Sequence, residues 1–168
     1  MRPELESIPS YERNYVAMVT ESNLVEALRA SMESVQTLVR CLPEHRAGHR
    51  YAEGKWSIRE VLCHLMDGER VFAYRALRFA RGDRTPLPGY DQDLYAPQAN
   101  AVTRTLERLA DEMAHLRTST IDLFESFTPE MLARSGEANQ KVLSVLALGF
   151  IIAGHERHHL KGLQERYL

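Results

Sequence analysis

The sequence predicts an all-α protein, a four-helix bundle with one long crossover connection. Four stretches carry apolar residues at helical spacing, and no period-two alternation of comparable length competes with them. The break between the second and third stretches, residues 82–100, holds three prolines and two glycines. It is longer than two tightly packed antiparallel neighbours require.

The first helix is expected from Asn23 to Cys41, with Leu24, Leu28, Met32, Val35 and Leu38 on one broad face and Pro43 as a stop. The second begins at Ser57, where Ser57 and Glu60 form an S-x-x-E capping box, and should end at Gly82. Ile58, Val61, Leu65, Phe72 and Phe79 supply its apolar stripe, while Arg59, Glu69 and Arg70 fall mostly on other faces. Trp56, just before the cap, is expected to pack as a lid on the helix start. In the connection, Pro86, Pro88, Gly89 and Pro97 remove donors or permit turns that a helix cannot accept. Tyr90 and Tyr95 are expected to pin it to the bundle. The third helix should run from Ala101 to Phe127, carrying Leu106, Leu109, Met113, Leu116, Ile121 and Phe124, with a short turn at Pro129 to Ala133 after it. The last is expected from Val142 to Glu165, with Val145, Leu148, Ile152 and Leu163 inside and Arg157, Lys161 and Glu165 toward solvent.

A chain of 168 residues suits a single domain spanning 1–168. The net charge of −2 and pI near 6.4 supply no overall positive field, which argues against nucleic acid as a partner. Cys41 and Cys63 are too few for a disulfide framework and fit a reducing compartment. The first residues, MRPELESIPSYERNYVAM, mix charges of both signs without the continuous apolar stretch of a signal peptide, so a cytoplasmic location is expected. The longest apolar region, Val142 to Ala153, is too short for a bilayer, which needs about 20 residues, so no membrane span is expected.

Placement separates the seven histidines. His155 and His159 stand four residues apart on the last helix, about 40° apart around its axis and roughly 6 Å along it. Helical metal sites use that spacing. Both lie near the face of Leu148 and Ile152, so both point inward, where a neutral imidazole needs partners for its ring nitrogens and a metal ion provides one. His64 lies between Val61, Leu65 and Gly68 on the inward face of the second helix. Three inward histidines on two helices make a candidate metal site. The competing reading is core histidines satisfied by carbonyls or carboxylates. His158 projects about 60° from His155 and should flank the site or face solvent; His45, His49 and His115 are expected on the surface.

Two carboxylates lie within one turn of His64, Glu60 at about 40° and Asp67 at about 60°. Glu60 is already assigned to the capping box. Asp67 has three readings: a partner for the far N–H of a ligating imidazole, a fourth ligand, or a catalytic general base. Arg75 shares the His64 stripe but sits about 16 Å further along the helix, where it should snorkel or meet an acidic partner.

The segments KWSIREVLCHLMDGERVFAYRALRFARGD and GHERHHLKGLQERYL resemble the paired signatures of the DinB-like proteins, including the YfiT-like branch. The carriers are W-S-x-x-E-x-x-x-H at Trp56, Ser57, Glu60 and His64, and G-H-x-x-H-H at Gly154, His155, His158 and His159. The resemblance implies a four-helix bundle with a long crossover, often a homodimer, that binds nickel or zinc through residues matching His64, His155 and His159. It leaves activity open, because similar proteins include thiol-dependent S-transferases and isomerases as well as proposed hydrolases.

Three neutral imidazoles leave a divalent ion at least one open coordination position. The first expectation is an enzyme that holds a low-molecular-weight thiol as thiolate and presents it to a small-molecule electrophile. The second is a hydrolase using activated water, with Asp67 assisting. The third is a stress protein whose ion staples the fold without turnover.

Overall fold

The computed structural model describes residues 2–168. Seven helices occur in the order α1 (Ser10–Ala17), α2 (Leu24–Cys41), α3 (Ile58–Ala80), α4 (Gln92–Tyr95), α5 (Leu106–Glu125), α6 (Pro129–Ala133) and α7 (Val145–Arg166). Strands β1 (Ser135–Ala138) and β2 (Lys141–Ser144) form an antiparallel hairpin before α7.

The bundle consists of α2, α3, α5 and α7, and its neighbours are α3 with α7, α7 with α2, α2 with α5, and α5 with α3. Their directions follow from individual contacts. His64 meets His159 while Phe72 meets His155, so α3 and α7 run antiparallel. Arg70 pairs with Glu112 while Arg81 lies over Phe127, so α3 and α5 run parallel. Gln36 donates to the Ala110 carbonyl and Arg29 pairs with Glu125, which makes α2 antiparallel to α5. Parallel neighbours cannot be joined by a tight turn. This is why residues 81–105 cross the bundle as a long connection holding α4 and two turns of 3-10 helix, Ala96–Gln98 and Ala101–Thr103.

Local chemistry sets the boundaries. Asn23 caps α2 by accepting from the amides of Val25 and Glu26. The Ser57–Glu60 capping box opens α3, with Arg50 also paired to the Glu60 carboxylate. Helix α5 starts at Leu106 rather than Ala101. Asn100 adopts a left-handed conformation at φ 49° and Thr105 accepts from the Arg108 amide, so the true cap is Thr105. Likewise α7 starts at Val145, capped by Ser144, because residues 141–144 pair as β2. Asn139 and Gln140, at φ 52° and 60°, turn the hairpin. Gly136 gives the Phe79 ring room against β1.

The apolar core is in two parts. One joins Leu28, Phe79, Phe124, Leu148 and Ile151, and the other joins Val39, Leu62, Met66, Leu109 and Leu163. Between them lies a buried polar layer. Arg117 of α5, 1% exposed, grips both carboxylate oxygens of Glu69 on α3 at 2.9 Å. It also donates to Glu156 of α7 at 2.9 Å and to Ser31 Oγ and the Leu28 carbonyl of α2, each at 2.7 Å. One guanidinium thus ties all four bundle helices. The expectation that Glu69 lies off the core face is corrected here, since Glu69 is buried as the partner of Arg117.

Candidate metal centre

Two neighbouring antiparallel helices carry the three predicted ligands. One nitrogen from each of His64, His155 and His159 lies within 4.8 Å of the other two. His64 and His155 are buried and His159 is half-buried. The ring centroids are 4.9 Å apart for His64 and His155, 4.8 Å for His64 and His159, and 4.7 Å for His155 and His159.

The surroundings fix this convergence. Trp56 packs against the His64 ring at 4.8 Å between centroids, and its carbonyl accepts the Tyr167 hydroxyl at 2.8 Å. The lid expected on the helix start is therefore also a wall of the site. Tyr15 of α1 packs edge-on to His155 at 5.2 Å, with Phe72 at 6.0 Å. Two glycines make this packing possible. A Cβ on Gly68 would stand 3.1 Å from the His155 ring, and one on Gly154 would land on the Tyr15 carbonyl oxygen. Arg157 then holds the chain beyond α1, donating to the Met18 carbonyl and pairing with Glu21. That residue bridges elements rather than facing open solvent as expected.

Burial holds all three rings neutral. It lowers the pKa of His64 to about 4, and burial with neighbouring His64 and His158 lowers that of His159 to about 3. His155 is driven well down by burial and by His159, His64 and His158 around it. Among the described residues, the only hydrogen bond these rings make joins His64 Nε2 to His155 Nε2 at 3.0 Å. The site thus gathers buried, neutral nitrogen donors that lack carbonyl or carboxylate partners, which a core histidine would need. Donors bound at about 2.1 Å from one ion stand roughly 3.0 to 3.4 Å apart, close to the His64–His155 spacing. The donor set fits a divalent ion.

Other predicted residues separate cleanly. His158 is exposed, 5.1 Å from His159 and 5.4 Å from Tyr15 between ring centroids, so it flanks the site. His45, His49 and His115 are exposed as expected. Glu60 is consumed by the capping box and Arg50. Asp67 is half-buried on α3, 3.5 Å from Arg70, and burial raises its pKa against the pull of Arg70 and Arg104. Among the described residues, the 4.8 Å donor group is made of the three histidines alone.

Two separate cavities reach the histidines. The larger, about 610 Å3, touches His159 and is walled by Tyr51, Trp56, Tyr167, Lys161 and Arg166. The smaller, about 160 Å3, touches His155 and is walled by α1, the crossover and the hairpin turn. Tyr15 and the small cavity escaped the sequence reading because α1 offers a single short amphipathic turn pattern. A Gly immediately before His155 was the available sign of a close-packed partner there.

The comparisons agree with this geometry. The family model of the DinB superfamily matches residues 27–162. OB0413 of Oceanobacillus iheyensis, described as a candidate metal-dependent hydrolase, is 27% identical over 158 residues, covering 84% of this chain and 86% of that protein. Among solved structures, YfiT from Bacillus subtilis, with an unusual four-helix bundle topology, superposes with a TM-score of 0.74 at 16% identity, covering 98% of this chain and 90% of its own. A mycothiol-dependent maleylpyruvate isomerase superposes with a TM-score of 0.70 at 10% identity, covering 95% of this chain and 62% of the isomerase. The two-helix histidine cluster and these likenesses lead to one conclusion: the chain belongs to the DinB superfamily.

Proposed function

We propose that this protein is a metal-dependent transferase that joins a low-molecular-weight thiol to a small electrophile, with nickel or zinc held by His64, His155 and His159. The observation that carries this reading is the meeting of two separate cavities at one three-histidine cluster, the larger at His159 and the smaller at His155. Hydrolysis needs room for one substrate and water, whereas transfer needs room for two substrates. When bound, the ion supplies a Lewis-acid centre that favours the deprotonated form of a thiol or water at its open position. The aromatic walls Tyr51, Trp56 and Tyr167, with charged groups of both signs at Lys55, Asp93, Lys161, Glu165 and Arg166, suit an amphiphilic thiol. Asp67 acts as proton acceptor, a role supported by its place one turn beyond His64 and by burial that strengthens its hold on a proton.

The test is mass-spectrometric detection of the S–C adduct from metal-loaded protein, a panel of cellular thiols and monobromobimane as electrophile. Adduct formation above the uncatalysed rate, lost in His155→Ala and on chelation, is expected. No acceleration with any thiol would refute transfer. The likeness to OB0413 favours a second reading, thiol-independent hydrolysis with Asp67 as general base. It predicts ester cleavage by the same metal-loaded protein without added thiol, and activity surviving His155→Ala would exclude it.

A further inference from the structure

The small cavity contains a buried cation that the metal chemistry does not use. Arg75 is 6% exposed, yet among the described residues no carboxylate comes within 4.0 Å of it. Glu12, in the same cavity, acts on Arg75 only at a distance, its one ion pair being with Lys141. A guanidinium has five N–H donors, and Arg75 spends one on the Pro88 carbonyl at 3.1 Å. Phe72 lies between Arg75 and the metal centre, 5.8 Å from the guanidinium carbon and 6.0 Å from the His155 centroid. Burying a charge without a counter-charge costs several kcal/mol, so such an arginine is a place where a ligand's charge is missing.

The rest of the cavity is polar and specific. Lys141 from the hairpin pairs with Glu12 Oε1 at 2.7 Å, while Glu12 Oε2 is buried without a partner. Tyr15 and Tyr90 add phenols whose pKa values burial raises, so both stay protonated. Arg75, Lys141 and Glu12 together leave one unbalanced positive charge, which a monocarboxylate would neutralise. A volume of about 160 Å3 suits a guest of a few carbons.

We propose that this cavity is a carboxylate subsite: Arg75 takes the carboxylate of a small organic monoacid, Lys141 and the phenols surround it, and the other end of the guest faces His155. The last part rests on the metal-centre reading, while the anion binding stands without it. The planar guanidinium fork favours a carboxylate held bidentately, which a lysine cannot reproduce.

The experiment titrates purified metal-loaded protein with pyruvate and propionate, and with propionamide and inorganic phosphate as comparators, by calorimetry and by shift in Tm. Carboxylate binding is expected to weaken at least tenfold in Arg75→Gln and by an intermediate factor in Arg75→Lys, with metal content unchanged. Lys141→Met, at a half-exposed position, should weaken it several-fold even if Arg75 variants fold poorly. Equal affinity in Arg75→Gln and wild type would overturn the proposal. So would propionamide or phosphate binding as tightly as propionate, or no carboxylate binding at all. The titration is repeated after chelation. Carboxylate binding by a protein that takes up no metal sinks the metal reading alone, and metal uptake without carboxylate binding sinks the subsite alone.

Discussion

Replacing Arg117 with methionine keeps most of its volume and removes its charge. The structure fixes what is lost: a bidentate grip on Glu69, one bond to Glu156, and bonds to Ser31 Oγ and the Leu28 carbonyl. Glu69 and Glu156 are 6% and 4% exposed, so two carboxylates would remain buried without a counter-ion. Breaking a buried ion pair from one side costs about 3 to 5 kcal/mol. For a chain of this size each kcal/mol moves Tm by about 2 to 4 °C, so Arg117→Met should lower Tm by about 6 to 20 °C at pH 7. Thermal unfolding followed by circular dichroism measures it. The loss should shrink as the pH falls. Burial already raises the Glu156 pKa against the pull of Arg117, and removing Arg117 raises it further. A group that binds its proton more tightly folded than unfolded adds stability as pH drops through its folded pKa. Adding Glu69→Gln and Glu156→Gln to the variant should recover part of the lost Tm by removing both stranded charges. A fall under about 2 °C, or a loss that grows toward acid, would refute the account of Arg117 as the tie between the helices.

Four further outcomes are expected. His155→Ala should lower nickel or zinc affinity more than about 100-fold by equilibrium dialysis, since even groups that only orient a ligand cost 10- to 100-fold. Metal affinity should stay level from pH 8 to about pH 5, unlike a site of ordinary histidines with pKa near 6.5, because His64 and His159 take up protons only near pH 4 and 3. The same depressed values make stability of the metal-stripped chain full above pH 6.5 and lost as pH falls toward 4, by about 3 kcal/mol for His64 alone, measurable by urea titration. Gly154→Ala should destabilise the chain by about 1 to 3 kcal/mol and loosen α1, read as faster amide exchange at Val16, because its Cβ would meet the Tyr15 backbone rather than a side chain that could swing aside.

The long helices and the inward placement of the three histidines were legible in the sequence because each rests on one helix's own periodicity and spacing. The crossover was legible too, as prolines that no helix accepts. Other features depend on distant partners. Glu69 looks like a surface residue until Arg117, 48 positions away, is brought beside it. The hairpin has four-residue strands and an Asn-Gln turn in place of the stronger Asn-Gly signal, so Val142 to Ser144 read as the start of α7. Arg75 was placed correctly along its helix. What the sequence could not supply was the crossover folding back over it, with the Pro88 carbonyl accepting from Arg75 and Tyr90 beside it in the small cavity.

Neither α2 nor α5 contributes a residue to either cavity wall. Half of the bundle is therefore chassis, coupled to the working half through Arg117. The three histidines occupy the other half, while many wall residues lie on α1, the connection before α3, the crossover and the hairpin turn. On the proposed function, exchanging those segments between relatives should retarget the guest and leave the three-histidine cluster in place. On that reading a lineage could diversify its substrates by editing loops, with no need to rebuild the cluster.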